Sequence, residues 1–82
     1  MKVDFTKGFN KQFEKLPQQR QEKAKKTVAL YLKAPSAASL RLHALKGGWK
    51  GHLSISAGGD LRLHLKIIGE DTILFVAVGS HS

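Results

Sequence analysis

Hydrophobic residues are spaced differently in the two halves of the chain, and the change comes near residue 40. Phe9, Phe13 and Leu16 stand at i, i+4 and i+7, which predicts a helix with one buried stripe. Residues 2–6 alternate and are β-prone, so they predict a short first strand. Thr6 is then well placed to cap the helix that follows.

A second helix is predicted over residues 17–33. Pro17 ends the first helix and suits the first turn of the next, which gives an αα-hairpin. Residues with high helix propensity fill the segment. The apolar residues expected to face the core are Ala24, Val28, Tyr31 and Leu32. A basic outer surface is expected from Arg20, Lys23, Lys25 and Lys26.

Beyond residue 40 the alternation predicts three strands. Residues 51–57 and 61–68 each have one apolar face, and Gly58-Gly59 between them is typical of a two-residue hairpin loop. The core-facing residues are expected to be Leu53, Ile55, Ala57, Leu61, Leu63, Leu65 and Ile67. Residues 72–78 are apolar on both faces, which predicts a central strand covered on each side.

The resulting order is β-α-α-β-β-β within a single domain, residues 1–82. It predicts an α+β fold in which the helical hairpin packs on one face of a small, mostly antiparallel, four-stranded sheet. The opposite face is expected to display Ser54, Ser56 and four basic or titratable side chains, namely His52, Arg62, His64 and Lys66.

Charge is the strongest compositional feature. Fourteen Lys and Arg against six Asp and Glu give a formal net charge of +8, which indicates a polyanionic or acidic partner such as RNA, DNA or an acidic protein. A basic surface without a partner is the alternative. The chain contains no cysteine, so disulfides and thiolate metal sites are excluded. It also lacks a run of roughly 20 apolar residues and a signal-peptide core, so we expect a cytoplasmic protein without membrane contact.

Candidate chemistry is concentrated in residues 43–52, which contain two histidines, two lysines, three glycines and the single tryptophan. The glycines predict a loop. Lys46 and Lys50, at the edge of the basic sheet face, are expected to help it bind phosphate. Trp49 is expected either to stack on a base or to pack against the sheet edge.

The histidines are better suited to acid–base chemistry than to holding a metal. None of them is spaced as in a zinc-binding helix, and no HExxH motif is present, so neither a metal nor another cofactor is expected. Imidazole titrates near neutral pH and can donate or accept a proton. His64 we assign mainly to a structural or electrostatic role. The chain also has no Walker-type phosphate loop and no nucleophile elbow.

The segment His43-x-Leu45-Lys46-Gly47-x-Trp49-Lys50-Gly51 and the closing Gly79-Ser80-His81 resemble the RelE superfamily of bacterial toxins, in particular the YafQ-like mRNA interferases. The resemblance implies a RelE-like fold and a toxin that cleaves mRNA in the ribosomal A site without a metal. It also implies an acidic cognate antitoxin that silences the toxin. A larger toxin–antitoxin complex, in which the antitoxin binds operator DNA, is likewise implied by the resemblance.

The resemblance also implies roles for individual residues. The 2′-hydroxyl attacks the adjacent phosphorus while a general acid protonates the departing 5′-oxygen, and His81 matches that acid. His43 and Asp60 match residues with base or orienting roles, and Arg62 matches a phosphate-stabilising arginine. Ser56 and Ala77 depart from the pattern, where relatives carry a histidine and an arginine. We expect Arg62 and Lys66 to supply the missing positive charge.

Two other functions remain open at this point. One is a ParE-like toxin that inhibits gyrase by binding and cleaves nothing. The other is a catalytically weak, basic RNA-binding relative. The closing Gly-Ser-His and the HxLKGxW segment favour the nuclease.

Overall fold

The computed structural model describes residues 2–80, and its elements follow the change in periodicity closely. Two helices occupy the first half: α1 (Lys7–Glu14) and α2 (Gln18–Lys33). The strands are β1 (Lys2–Phe5), β2 (His43–Ala44), β3 (Leu53–Ser56), β4 (Leu61–Ile68) and β5 (Thr72–Ser80). Neither helix has the length and apolar composition of a membrane-spanning segment.

The sheet has five strands rather than the predicted four, in the order β1-β5-β4-β3-β2. It is mixed, because β1 runs parallel to β5 while the other neighbouring strands are antiparallel. The additional strand is β2, whose two residues lie opposite Ser54 and Leu53 of β3. Two residues are too few to produce an alternating pattern, so periodicity could not reveal this strand.

The start of the helical hairpin forms as predicted. Thr6 Oγ1 accepts a hydrogen bond from the backbone N–H of Phe9 at 3.0 Å, which satisfies one of the free donors at the start of α1. Pro17 immediately precedes α2, and its carbonyl accepts hydrogen bonds from the N–H groups of Arg20 and Gln21. The proline has no N–H of its own to leave unpaired, so it fits this position.

The buried stripe of α2 differs from the prediction, because Thr27 belongs to it in place of Leu32 and Val28 is only half-buried. Ala24, Thr27 and Tyr31 are buried, whereas Leu32 is exposed. Residues 24, 27 and 31 share one helical face, while residue 32 lies a further 100° around the axis. The Thr27 hydroxyl can be buried because it donates to the carbonyl of Lys23 at 2.8 Å. Burial also raises the pKa of Tyr31 above its ordinary value.

Phe75 on β5 lies at the centre of the core and is fully buried. Its ring centroid lies 5.4 Å from that of Phe5, 6.0 Å from that of Phe9 and 6.3 Å from that of Tyr31. The aromatic rings therefore join β1, β5 and both helices. The aliphatic part of the core is contributed mainly by Leu40, Ile55, Leu61, Leu63, Leu65, Ile73 and Val78.

Three details of the strands also differ from the prediction. The β3–β4 loop comprises residues 58–60, because Ala57 still pairs with Leu61 through an N–H···O bond of 2.9 Å. Ile67 is 55% exposed, so the buried alternation of β4 stops after Leu65. Strand β5 is central, as predicted, but the helices cover only one of its faces. Buried residues therefore alternate along β5 with half-buried ones.

Replacing Phe75 with Ala should lower the free energy of unfolding by about 3–5 kcal/mol, because the buried ring is lost and leaves a cavity. Urea unfolding followed by circular dichroism measures the change. Phe5→Ala is the matched control: its ring belongs to the same cluster but is 42% exposed, so the loss should be clearly smaller. Equal losses for the two variants would contradict the central position of Phe75.

Candidate functional site

The sheet face opposite the helices carries a row of side chains that crosses four strands. Strand register places His43 opposite Ser54, Ser54 opposite His64, and His64 opposite Ala77. Ser54 in the middle of this row is only 2% exposed. A bulge in β5 sets the last pairing, since Val76 is an extra residue between the partners of His64 and Leu65. The bulge thus brings Ala77 onto the polar face beside His64.

The neighbouring row contains Ser56, Arg62 and Gly79, again on adjacent strands. Arg62 Nη1 donates to Ser56 Oγ at 2.8 Å and lies 3.4 Å from the carbonyl oxygen of Gly59. These contacts fix the guanidinium group on the sheet. Ser56, which departs from the family pattern, therefore orients the cation at this position.

Trp49 is folded over the polar face by the loop between β2 and β3. Gly47 and Gly51 have φ values of 67° and 89°, a left-handed conformation that favours glycine. The indole ring centroid lies 5.2 Å from that of His52 and 4.8 Å from that of His64, and both pairs meet edge to face. Trp49 remains 42% exposed. The ring therefore packs against the sheet and also presents surface to a ligand.

A cleft of about 290 Å³ lies between Trp49 and the end of β5. Ala77 and Gly79 form its floor, and a Cβ atom added at Gly79 would meet no atom within 4 Å. The cleft is open because these two residues are small. The remaining residues that line it are Gln12, Trp49, Arg62, His64, Val78 and Ser80.

The wall opposite Trp49 comes from α1 and was not predicted. Strand β1 pairs with β5 only as far as Phe75. Beyond that point Gln12 Oε1 accepts a hydrogen bond from the backbone N–H of Val78 at 2.9 Å. Gln12 stands one position before Phe13 and so flanks the apolar stripe of α1. That location is the signal by which the sequence could have identified it.

Arg20 was expected on the basic outer surface, but it is half-buried and joins α2 to the end of β5. Its Nη2 lies 3.1 Å from Asp60 Oδ1, and its Nη1 donates to Ser80 Oγ at 3.3 Å. Arg20 stands four residues before Ala24, on the buried stripe of α2, so its side chain is directed toward the sheet. Asp60 therefore forms an ion pair at the tip of the β3–β4 loop and does not line the cleft.

The structure gathers some of the predicted site residues and separates others. Trp49, Arg62 and His64 line the cleft. His52 packs against the indole ring of Trp49, and its Nδ1 is 3.2 Å from the carbonyl oxygen of Trp49. Lys66 shares the strand face of Arg62 and His64 but does not line the cleft.

The other predicted residues lie further out. His43 is on the edge strand β2, with Nδ1 3.1 Å from the carbonyl oxygen of Arg41. Lys46 and Lys50 flank the 3₁₀ turn Gly47–Trp49 and are exposed. His81 lies outside the described residues, directly after Ser80. Within residues 2–80, no three His, Asp or Glu side chains are close enough together to hold a metal ion.

Comparison with protein-family models finds no match, and comparison with curated proteins finds none either. Solved structures are clearly similar. YafQ from E. coli matches at 25% identity and a TM-score of 0.79, over 96% of this chain and 91% of that one. In a crystal structure of the DinJ–YafQ complex the TM-score is 0.76 at 26% identity, over 96% of this chain and 91% of the YafQ chain.

Two further toxins have the same architecture. A YoeB/ParE toxin from Agrobacterium tumefaciens aligns over 100% of both chains with a TM-score of 0.82, at 19% identity. A metal-bound toxin from Helicobacter pylori aligns with a TM-score of 0.76 at 27% identity, over 99% of this chain and 94% of that one. With its helical hairpin on a five-stranded mixed sheet, the chain described here has the RelE/YafQ-like toxin fold.

Proposed function

We propose that this protein is the toxin of a toxin–antitoxin system and cleaves mRNA on the ribosome by acid–base chemistry. The observation that carries the proposal is the cleft in which Arg62, His64 and Trp49 meet beside Ser80. A guanidinium group, an imidazole and an aromatic ring are the groups needed to bind phosphate, transfer a proton and stack on a base. The fold shared with YafQ supports the same function.

In the proposed reaction the 2′-hydroxyl of the mRNA loses its proton and its oxygen attacks the adjacent phosphorus. The bond from phosphorus to the 5′-oxygen breaks, and the 5′-oxygen takes a proton from His81. The products are a 2′,3′-cyclic phosphate and a free 5′-hydroxyl. Arg62 stabilises the negative charge that develops on the phosphate oxygens, as a planar guanidinium can by contacting two of them.

We assign the removal of the 2′-proton to His64, because it is the histidine within residues 2–80 that lines the cleft. This differs from the structural or electrostatic role expected for His64 from the sequence, and from the base or orienting roles that the resemblance implies for His43 and Asp60. Neither of those residues lines the cleft, so we propose that they act from outside it. In that position Asp60 pairs with Arg20, which in turn contacts Ser80, the residue before His81 in the sequence.

The proposed partners are an acidic antitoxin, the ribosome and mRNA, all reached in the cytoplasm. The E. coli relative has been crystallised as the DinJ–YafQ toxin–antitoxin complex. A net charge of +8 on 82 residues favours fast, salt-sensitive association with acidic surfaces. A larger assembly with the antitoxin on operator DNA is part of the same proposal.

Inducing the protein in a bacterium and mapping mRNA 5′ ends tests the proposed activity. New 5′ ends within translated reading frames are expected. Intact mRNA together with blocked chromosome replication would instead indicate the ParE-like alternative, gyrase inhibition. Binding to RNA without new 5′ ends would indicate the catalytically weak relative.

Replacing Arg62 with Ala should lower single-turnover cleavage of ribosome-bound mRNA by about 10²–10³-fold, the usual effect of removing one transition-state donor. Ribosome binding should change much less. Lys66→Ala is the matched control, because it removes the same charge from the same strand face outside the cleft. Weaker binding with unchanged single-turnover cleavage would make Arg62 a positioning contact only.

Replacing His81 with Gln should reduce cleavage by about 10²–10⁴-fold while antitoxin binding is retained, because general acid catalysis is lost. The defect should shrink on a substrate with a 5′-phosphorothiolate, whose sulfur leaving group needs no proton. Cleavage rates on both substrates are measured side by side. Wild-type rates for the variant would remove His81 from the mechanism.

Cleavage should continue when EDTA is added as its magnesium complex, which removes zinc, manganese and copper but leaves the free magnesium that keeps ribosomes intact. The proposed proton transfers and charge stabilisation use only histidines and Arg62, which need no metal. The metal-bound toxin from Helicobacter pylori makes this test necessary. Loss of cleavage that zinc, manganese or copper restores would overturn the metal-independent mechanism.

A further inference from the structure

Gln12 is the polar side chain that α1 contributes to the cleft, and the proposed chemistry gives it no role. Two neighbouring contacts anchor the start of α1 against β5: the Thr6 N–H donates to the carbonyl of Phe75 at 3.0 Å, and Thr6 Oγ1 donates to that of Val76 at 3.2 Å. Gln12 then contacts Val78 two residues further along β5. Its position beside the cleft is therefore well fixed.

The Val78 contact also fixes which end of the Gln12 amide faces β5. A backbone N–H can only donate, so the Gln12 atom that contacts it must be the carbonyl oxygen Oε1. The amino group, Nε2, is then the end that remains for a ligand. Within residues 2–80 this nitrogen donates to no protein atom. Gln12 thus has two unused N–H donors for a ligand, whereas its oxygen is turned to Val78 and already accepts one hydrogen bond.

The arrangement of the cleft indicates which part of a nucleotide reaches Gln12. Arg62 provides a charged group suited to a phosphate, and Trp49 provides an aromatic surface suited to a base. Gln12 is neutral and lies on the opposite side of the floor formed by Ala77 and Gly79. A volume of about 290 Å³ is at the small end of ligand sites and suits a single nucleotide.

From these observations we propose that Gln12 reads the edge of an RNA base beside Trp49 and favours a keto oxygen over an exocyclic amino group. A donor pairs with the O4 atom of uracil but faces the N4 amino group of cytosine, which also donates. The cleft should therefore prefer uridine to cytidine. This inference rests on the proposed function, because it assumes that RNA is the ligand.

The decisive variant is Gln12→Glu, because it separates the structural role of the side chain from its role in recognition. A carboxylate can still accept the Val78 N–H, so the fold should be retained. Its second oxygen replaces the amino group, which turns the donor into an acceptor. Gln19→Glu is the matched control, because it makes the same charge change at an exposed position of α2 that does not line the cleft.

Binding is measured by fluorescence anisotropy with 2′-O-methylated oligo(U) and oligo(C) of equal length, which cannot be cleaved because the attacking hydroxyl is blocked. The wild type should bind oligo(U) about three- to tenfold more tightly, the value of one neutral hydrogen bond. Gln12→Glu should abolish or reverse the preference for oligo(U). Gln19→Glu should weaken both complexes alike and keep that preference. Gln12→Met, which has neither donor nor acceptor, should bring the ratio close to one.

The possible failures can be told apart. In one outcome the wild type cleaves mRNA and binds both oligonucleotides, and Gln12→Glu and Gln12→Met keep its ratio of oligo(U) to oligo(C) affinity. Gln12 then only supports β5, and the inference is wrong. If the wild type binds neither oligonucleotide and cleaves no mRNA, the proposed function fails and base reading fails with it. If Gln12→Glu unfolds, the Gln12→Met ratio decides.

Discussion

The site depends on the limited pairing between β1 and β5. Strand β1 has four residues and pairs with β5 as far as Phe75, where the chain turns at Thr6 into α1. The second half of β5 is consequently paired with β4 on one side and bordered by α1 on the other. If β1 were longer, its backbone would occupy the place of Gln12. The early end of β1 thus gives the cleft its second wall.

The absence of large side chains on its floor also shapes the cleft. Ala77 and Gly79 are small residues on the polar face, and the bulge at Val76 brings them onto that face while Phe75 and Val78 stay in the core. The buried core and the open cleft therefore lie on the two faces of a single strand. Phe75 joins the layers on one side, and on the other side the space above Gly79 is open.

Charged groups around the cleft are held by polar contacts on the surface. Arg62 is oriented by Ser56, and Arg20 connects Asp60 to Ser80. An exposed ion pair such as that of Arg20 and Asp60 contributes only about 0–1 kcal/mol to stability. The effect of these contacts is mainly geometric, because they fix the end of β5 that leads to His81.

The sequence by itself determined the class of fold, since apolar spacing separated the helical half from the strand half and Thr6 and Pro17 marked the helix starts. It also predicted Trp49, Arg62 and His64 as site residues from their types and local pattern, and all three line the cleft. Tertiary structure decided the rest. The pairing of β2, the exposure of Ile67, and the contacts of Gln12 and Arg20 depend on residues distant in the chain. Gln12 and Val78, for example, are 66 positions apart. Local periodicity describes which face of an element is apolar, but only packing determines what that element meets.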